Sequence, residues 1–577
     1  MSNGQVHAKE LAKKHREISV AEFFEKNRHL LGFDNPRKAL LTTVKEAVDN
    51  ALDACEEARI LPEISVEIIQ LSESRFKLIL EDNGPGIIKA QISKIFAKLL
   101  YGSKFHKLSQ SRGQQGIGIS AAVLYSQLTT GKPTTITTKT DKNKKAHQSQ
   151  LKIDTQTNNP EILNEQEIDW EEKDHGTKIE MELEGHYFKG KQSVDQYLKE
   201  TAIVNPHTTI IYTNPLAEQI IFPRATDELP VEPVEIKPHP YGVELGMLIK
   251  MLQNTAGKTL QAFLIHDFSR VGPNTAKEIC ENSSLLPNSK PKTISREMAE
   301  QLYNGIIKTK IIAPPTNCLS PITADALEKG LRKEINAEFY TSVTRPPSVY
   351  RGNPFQIECA LAYGGEQEKD QTIHLLRFAN RVPLIYQPGG CAITQAVQQI
   401  AWNPYGLSQS RKALPVGPCT IVVHMASVWV PFTSEAKEAL ASYPEILKEL
   451  KLAIRECGRK LGLFINKKKR LHAESKKRSY IETYIPYISE ALHELLKIKK
   501  DEQEKINQLL YQILEKQRGI LEKIEIDNPD YDEDLAKIGN EKEEFSLEEE
   551  LVTPKTKPQE TQPPKINKKD KQTTLIK

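Results

Sequence analysis

The segment Arg37–Ala58, RKALLTTVKEAVDNALDACEEA, sets the tightest constraint on what this chain can fold into. At 100° per residue, Leu40, Leu41, Val44, Val48, Ala51, Leu52 and Cys55 fall on one side. That is the pattern of an amphipathic helix whose stripe must be covered by another layer. Glu46, Asn50 and Asp53 stand at i, i+4 and i+7, almost opposite the stripe. A solvated helix face accounts for such residues in most cases. Asn50 fits that account least, because an Asn side chain competes for backbone bonds in mid-helix.

Two later segments carry a similar tension. In RFKLILEDNGPGI the alternation of Phe76, Leu78 and Leu80 predicts a strand ending at Asp82-Asn83-Gly84-Pro85-Gly86. A plain turn explains that ending, but a carboxylate at a strand end can also accept a hydrogen bond from an amino group. Glycines beside it would let a flat ligand lie against the backbone. In SRGQQGIGISAAVLYSQL, Gly113, Gly116 and Gly118 lead into a helix with Ile119, Ala122 and Val123 on one face. A glycine-rich loop opening a helix offers bare N–H groups and the positive end of the helix dipole to phosphate. It is no Walker A loop, since no Lys-Ser/Thr follows the last glycine, and no βαβ unit frames it as a dinucleotide fingerprint.

Taken in order and spacing, Glu46-x3-Asn50, Asp82-x-Gly84-x-Gly86 and Gly113-x2-Gly116-x-Gly118 say more than each does alone. With them the chain resembles the Bergerat-fold (GHKL) ATPases, the family of gyrase B subunits, mismatch-repair ATPases, heat-shock chaperones and histidine kinases. His175-Gly176-Thr177, ahead of the alternating KIEMELEG, matches a later Gly-Thr element of that family. The resemblance implies an ATP and Mg²⁺ site. Glu46 would be the general base, Asn50 the Mg²⁺ ligand through its amide oxygen, and Asp82 the acceptor for the adenine amino group, with Thr177 nearby. Ser103, Lys104 and the loop Gly113, Gln114, Gln115, Gly116, Ile117, Gly118, Ile119 and Ser120 would face the phosphates. In VWVPFTSEAKEALASY a helix is expected to start near Thr433 or Ser434, placing Lys437 in its first turn, where a cation opposes the dipole. A solvent lysine would explain Lys437, but relatives use such a lysine, on a transducer-domain loop, to sense the γ-phosphate. The resemblance assigns Lys437 that role.

At roughly 150 residues per domain, 577 residues suggest three to four domains. The expected fold is a multidomain α/β (α+β) chain. Residues 1–222 form the Bergerat-fold ATPase domain with an N-terminal strap around His7–Glu22. A linker over 223–240 holds five prolines. Residues 241–315 read as helical, and HDFSRVGPNTAKEIC there resembles a helix-two-turn-helix module. A transducer domain resembling ribosomal protein S5 follows at 316–470, then a helical stalk at 471–525 with a break expected at Pro486. The charged tail, 526–577, reads as disordered. This order, together with AEFFEKNRHLLGFDNPRKALLTTVKEAVDNALDA, RFANRVPLIYQ and VWVPFTSEAKEAL, resembles the B subunits of the type IIB DNA topoisomerases over residues 15 to 500.

The net charge of +3 hides uneven blocks. Arg455–Arg478 holds ten Lys/Arg against two acids, Glu522–Glu550 thirteen acids against three lysines, and Lys555–Lys577 seven lysines against two acids. The first block is either a solvated helix face or a stripe near a DNA duplex, where binding would fall with salt. Seven scattered cysteines without CxxC pairs suggest reduced thiols in a cytoplasmic protein, and the resemblance to DNA topoisomerases implies one associated with the nucleoid. Neither a secretory signal nor a membrane span is expected. The family resemblance implies a double-stranded DNA substrate, ATP-dependent homodimerisation and an A2B2 heterotetramer with an A subunit that cuts DNA. Asp530-x-Asp532-x-Asp534 reads as solvated charge rather than a metal site. The rival expectation is an ATP-switched clamp or scaffold of the same ATPase family, without topoisomerase action.

Overall fold

The computed structural model describes residues 17–104, 107–113, 116–434 and 436–518. The strap before residue 17, Gln114, Gln115, the end of the stalk and the tail with its Asp530-Asp532-Asp534 run lie outside the described residues. The chain divides into two compact units, residues 1–468 and residues from 469 onward.

Among the described residues the first unit begins with α1 (Val20–Lys26), with α2 (Pro36–Glu57) as its next α-helix. Asn35 caps α2 by accepting the Lys38 N–H at 2.9 Å, and Pro36 occupies the first helical position, where its missing N–H costs nothing. The apolar stripe of α2 is buried as the periodicity requires. It packs on a sheet built from β1 (Glu63–Gln70), β2 (Arg75–Asp82), β3 (Thr134–Lys139), β4 (Ala146–Asp154), β5 (Asn159–Ile168), β6 (Gly176–Glu184), β7 (Thr209–Thr213) and β8 (Gln219–Phe222). The spatial order is β5-β4-β3-β6-β2-β1-β7-β8, antiparallel except for β1 beside β7. Burial along β2 and β6 alternates, so each strand gives one face to the core. Helices α3 (Lys89–Ala97), α4 (Gly118–Thr130) and α5 (Val194–Val204) share that core with α2. In this layout α2, the end of β2, the start of β6 and the start of α4 converge on one region.

Residues 223–239 form neither helix nor strand. Then α6 (Leu245–Asn254), α7 (Leu260–Asp267), α8 (Pro273–Asn282) and α9 (Arg296–Lys308) enclose a separate apolar core around Phe263, Leu264, Ile279 and Leu302. The Gly272-Pro273-Asn274 turn opens α8, with Gly272 at the N-cap and Pro273 at the first position.

The third layer contains α10 (Ala324–Glu334), β9 (Phe339–Thr344), β10 (Ser348–Tyr350), β11 (Asn353–Tyr363), β12 (His374–Ala379), β13 (Val382–Pro383), α11 (Ala392–Gln399), β14 (Cys419–Ser427) and the start of α12 (Pro444–Leu496). β14 lies inside the sheet between β11 and β12 and is buried along its whole length. Its alternate residues enter two cores. Ile421, Val423 and Met425 meet Ile446, Leu450 and Ile454 of α12, while Val422 lies in a core with Leu327 of α10 and Ile203 of α5.

Two expected features differ. The helix expected from Thr433 or Ser434 is a loop. Thr433 N–H donates to Ala439 O at 2.9 Å, Lys437 N–H to Ser434 O at 3.1 Å, and Phe432 bridges Leu440. These bonds close the segment on itself, and helix begins only at Pro444, a residue suited to a first turn. In addition, α12 runs through Pro486 without ending. One lost backbone bond (about 3 kcal/mol) is outweighed by helical turns on both sides, and the chain breaks instead at Lys497, in left-handed conformation, before α13 (Lys500–Arg518). Among the described residues no helix is long and apolar enough to cross a membrane, and all seven cysteines are unpaired and buried.

Candidate functional site

A cavity of about 720 Å³ opens where α2, β2, β6 and α4 converge. Glu46 and Asn50 of α2 face it, so the polar side of that helix is a cavity wall rather than a solvated face. Asp82, Gly86 and Thr177 close one end, and Ser103, Lys104, Gly113, Gly116, Ile117, Gly118 and Ile119 line another side. Lys437 reaches the same cavity from the loop after β14. Two expected members do not line it. Gly84 sits beneath the floor, its N–H bound to Asp82. Ser120 is buried in α4 with its hydroxyl donating to Ile117 O at 2.9 Å, the usual self-bonding of a serine early in a helix.

Asp82 is almost fully buried, and its Oδ1 accepts the N–H groups of Gly84 at 2.8 Å and Thr177 at 3.2 Å. Burial nonetheless pushes its carboxyl up to about 6, more than those bonds lower it. The turn that carries it depends on Gly86, in left-handed conformation (φ +70°), where a Cβ would strike the Lys139 carbonyl. Gly118 also packs closely: a Cβ there would meet the Glu46 carboxylate, which would have to swing aside. The carboxylate of α2 therefore rests against the N-terminus of α4, where the helix dipole is positive.

The side of α2 beyond Asn50 holds the residues that sequence reasoning missed. Asp53, expected on a solvated face, is buried between Lys104 Nζ at 2.5 Å and Arg112 Nη1 at 2.8 Å. Burial alone would raise its pKa, but these two cations hold it below the ordinary value. Lys104 also contacts Glu57 at 2.9 Å, so its ammonium is turned to the acids of α2. Arg112 adds Glu56 at 2.6 Å and Asn205 at 2.5 Å. Glu56 also meets His207 at 2.8 Å and Arg381 at 3.5 Å. Burial opposes its charge, yet Arg112, His207 and Arg381 together keep its pKa well below the usual range. Arg381 arrives on the β12–β13 turn, where Asn380 and Arg381 both have positive φ, the backbone of a tight primed hairpin. Asn380 Nδ2 donates to Ser111 O at 2.9 Å. Nothing local in the sequence marks these partners. The available signal was the charge-dense run Glu56-Glu57 at the end of an apolar helix.

Two family models match parts of this chain. Residues 39–177 match the family model of histidine kinase-, DNA gyrase B- and HSP90-like ATPases, which defines a nucleotide-binding ATPase domain of the GHKL class. Residues 314–477 match the transducer of the topoisomerase VI B subunit. Over 490 residues the chain is 52% identical to the type 2 DNA topoisomerase 6 B subunit of Methanococcoides burtonii, covering 85% of this chain and 79% of that protein. The corresponding protein of Archaeoglobus fulgidus is 49% identical, with 84% and 80% covered. Among solved structures, the B-subunit of DNA gyrase from Myxococcus xanthus aligns at 13% identity and a TM-score of 0.36, over 75% of this chain and 94% of that one. The chain belongs to the family of type 2 DNA topoisomerase 6 B subunits, the ATP-hydrolysing subunits of a DNA isomerase. The clamp or scaffold without topoisomerase action is thereby set aside.

The buried pairs yield a stability prediction. Replacing Arg112 by Met leaves Asp53 and Glu56 with one fewer cation each in a desolvated site. The expected loss is about 3–5 kcal/mol, read as a lower denaturation midpoint of the full chain. Unchanged stability would mean that water reaches these carboxylates.

Proposed function

We propose that this cavity binds Mg²⁺-ATP and hydrolyses it with the residues named from the sequence. The observation that carries the proposal is that Glu46, Asn50, Asp82, the glycine loop and Lys437 all line one cavity, although Lys437 is almost four hundred residues from Glu46. Asp82 Oδ1 is occupied by two backbone N–H groups, which leaves Oδ2 to accept the adenine amino group. The N-terminus of α4 and the loop before it present N–H groups to the phosphates. Glu46, resting on Gly118, is at the right corner to orient and deprotonate a water beside the γ-phosphate. Asn50 is exposed to the cavity and offers a hard amide oxygen, which fits a Mg²⁺ ligand. When bound, the ion would neutralise charge on the phosphate oxygens. Lys104 joins the phosphates only by leaving Asp53 and Glu57. Lys437, whose Nζ donates to the Arg112 carbonyl at 3.1 Å, exchanges that oxygen for the γ-phosphate. Such positioning of charge and water is sufficient chemistry for phosphoanhydride hydrolysis.

At the level of the assembly, two copies dimerise on binding ATP and join two A subunits in an A2B2 heterotetramer at the nucleoid. Lys437 couples the nucleotide to the transducer sheet, and the A subunits open one duplex for passage of another.

Three outcomes test this reading. Glu46→Ala retains ATP binding and dimerisation while turnover falls by about 100-fold or more; wild-type hydrolysis in that variant removes Glu46 as the base. Supercoiled DNA is relaxed by the chain together with its A subunit and ATP, and not when any one is omitted; relaxation by this chain alone overturns the division of labour. The third outcome concerns pH. The folded protein favours neutral Asp82, so this carboxyl adds stability below its ordinary value of 3.8 and loses it as pH rises through about 6. The acceptor needed by adenine is complete only above that point. Affinity for adenosine, whose charge is constant over the range, weakens as pH drops through about 6. In Asp82→Asn the pH dependence disappears, and if the variant keeps it another group is responsible.

A further inference from the structure

Lys437 is held in an unusual conformation. Its φ of +53° places a non-glycine residue in the left-handed region, a strain that its surroundings must offset. The backbone bonds that shape its loop, from Thr433 to Ala439 and from Lys437 to Ser434, stay within the transducer segment. They fix the form of the loop but not its attachment to the nucleotide domain.

Two consecutive side chains make that attachment. Lys437 Nζ reaches the carbonyl of Arg112, the residue before Gly113 of the phosphate loop. Glu438, only 5% exposed, lines the same cavity and pairs there with Lys38 Nζ at 2.5 Å. Lys38 lies in the first turn of α2, about 12 Å before Glu46 at 1.5 Å per residue. It is braced in turn by Asp34 at 3.1 Å and by the ring of Tyr386, whose centroid is 5.4 Å from the ammonium. Ala436 packs over Gly32 just before α2, where a Cβ on the glycine would lie 3.7 Å away. One loop thus grips the helix that carries Glu46 with Glu438 and the phosphate loop with Lys437.

We infer that the Lys38–Glu438 pair is the fulcrum that aims Lys437 into the nucleotide cavity, making Lys38 and Glu438 positioning residues for turnover. The inference rests on the reading of Lys437 as the γ-phosphate contact. A desolvated ion pair suits the task, because removing one partner strands a charge and frees the loop, whereas a backbone carbonyl such as that of Arg112 is readily exchanged for phosphate.

Steady-state ATP hydrolysis by the full-length chain tests it, with the denaturation midpoint checked for each variant. Glu438→Gln and Lys38→Met each lower kcat by about tenfold while KM for ATP stays within about twofold. The double variant is no worse than either single one, because both remove the same pair. Lys38→Arg, which keeps the pair, remains near wild type. Multiplicative losses in the double variant, an unchanged kcat, or a raised KM with normal kcat would each overturn the inference; the last would make the pair a direct nucleotide contact. Lys437→Met separates the two readings. If it abolishes turnover while the pair variants are normal, the sensor stands and the fulcrum fails. If it retains wild-type kcat, the sensor fails and the fulcrum with it.

Discussion

The cluster of Asp53, Glu56, Arg112 and Arg381 is the interaction on which the rest of the structure depends. Four charges meet almost free of water, and they come from three different pieces of chain. Asp53 and Glu56 belong to the helix that carries Glu46 and Asn50. Arg112 leads into the glycine loop, and Arg381 sits at the tip of a hairpin from the transducer sheet. Ion pairs of this kind contribute modestly to net stability, because desolvation offsets much of the attraction. They are strongly specific, since any displacement that parts them strands a buried charge. The cluster therefore fixes the relative register of α2, the glycine loop and the transducer sheet more than it holds the fold together.

The tie extends into the transducer through Arg381. Its backbone N–H donates to His424 Nε2 at 2.9 Å, so His424 must carry its proton on Nδ1, from which it donates to Glu358 at 2.8 Å. Burial lowers the His424 pKa and agrees with a neutral ring. Glu358 in turn accepts the N–H groups of Ile322 and Thr323 at 2.8 Å each. Thr323 has a φ of +79°, costly for a β-branched residue, and caps α10. A carboxylate bound to two successive amides holds that strained corner in place. The same chain of bonds thus connects α2 to the start of the transducer layer.

How much of this was legible beforehand differs by residue. Glu46, Asn50, Asp82 and the glycines stood out because they are local: short spacings placed them on one helix face, one strand end and one loop. The family resemblance then joined the three. Asp53 stands on the same face, but its burial was not legible, since its cations, Lys104 and Arg112, are more than fifty residues away. The expected helix at Lys437 failed for a related reason. Helical propensity in SEAKEAL was real, but the Phe432–Leu440 bridge and the ion pair to Lys38 favoured a closed loop.

What the amino-acid sequence determined by itself is the set of elements and the chemistry each can offer: an apolar stripe that needs a sheet, glycines where a side chain would collide, a carboxylate at a strand end. Periodicity and steric exclusion act over a few residues, so they can be read from a few residues. Which charges neutralise one another was decided only by the tertiary structure. Buried carboxylates such as Asp53 and Glu56 are kept charged by a cation within about 4 Å, and any of 79 Lys or Arg side chains meets that need chemically. Only the packing of α2, the glycine loop and the transducer sheet brings Arg112, Arg381 and Lys38 within reach of them.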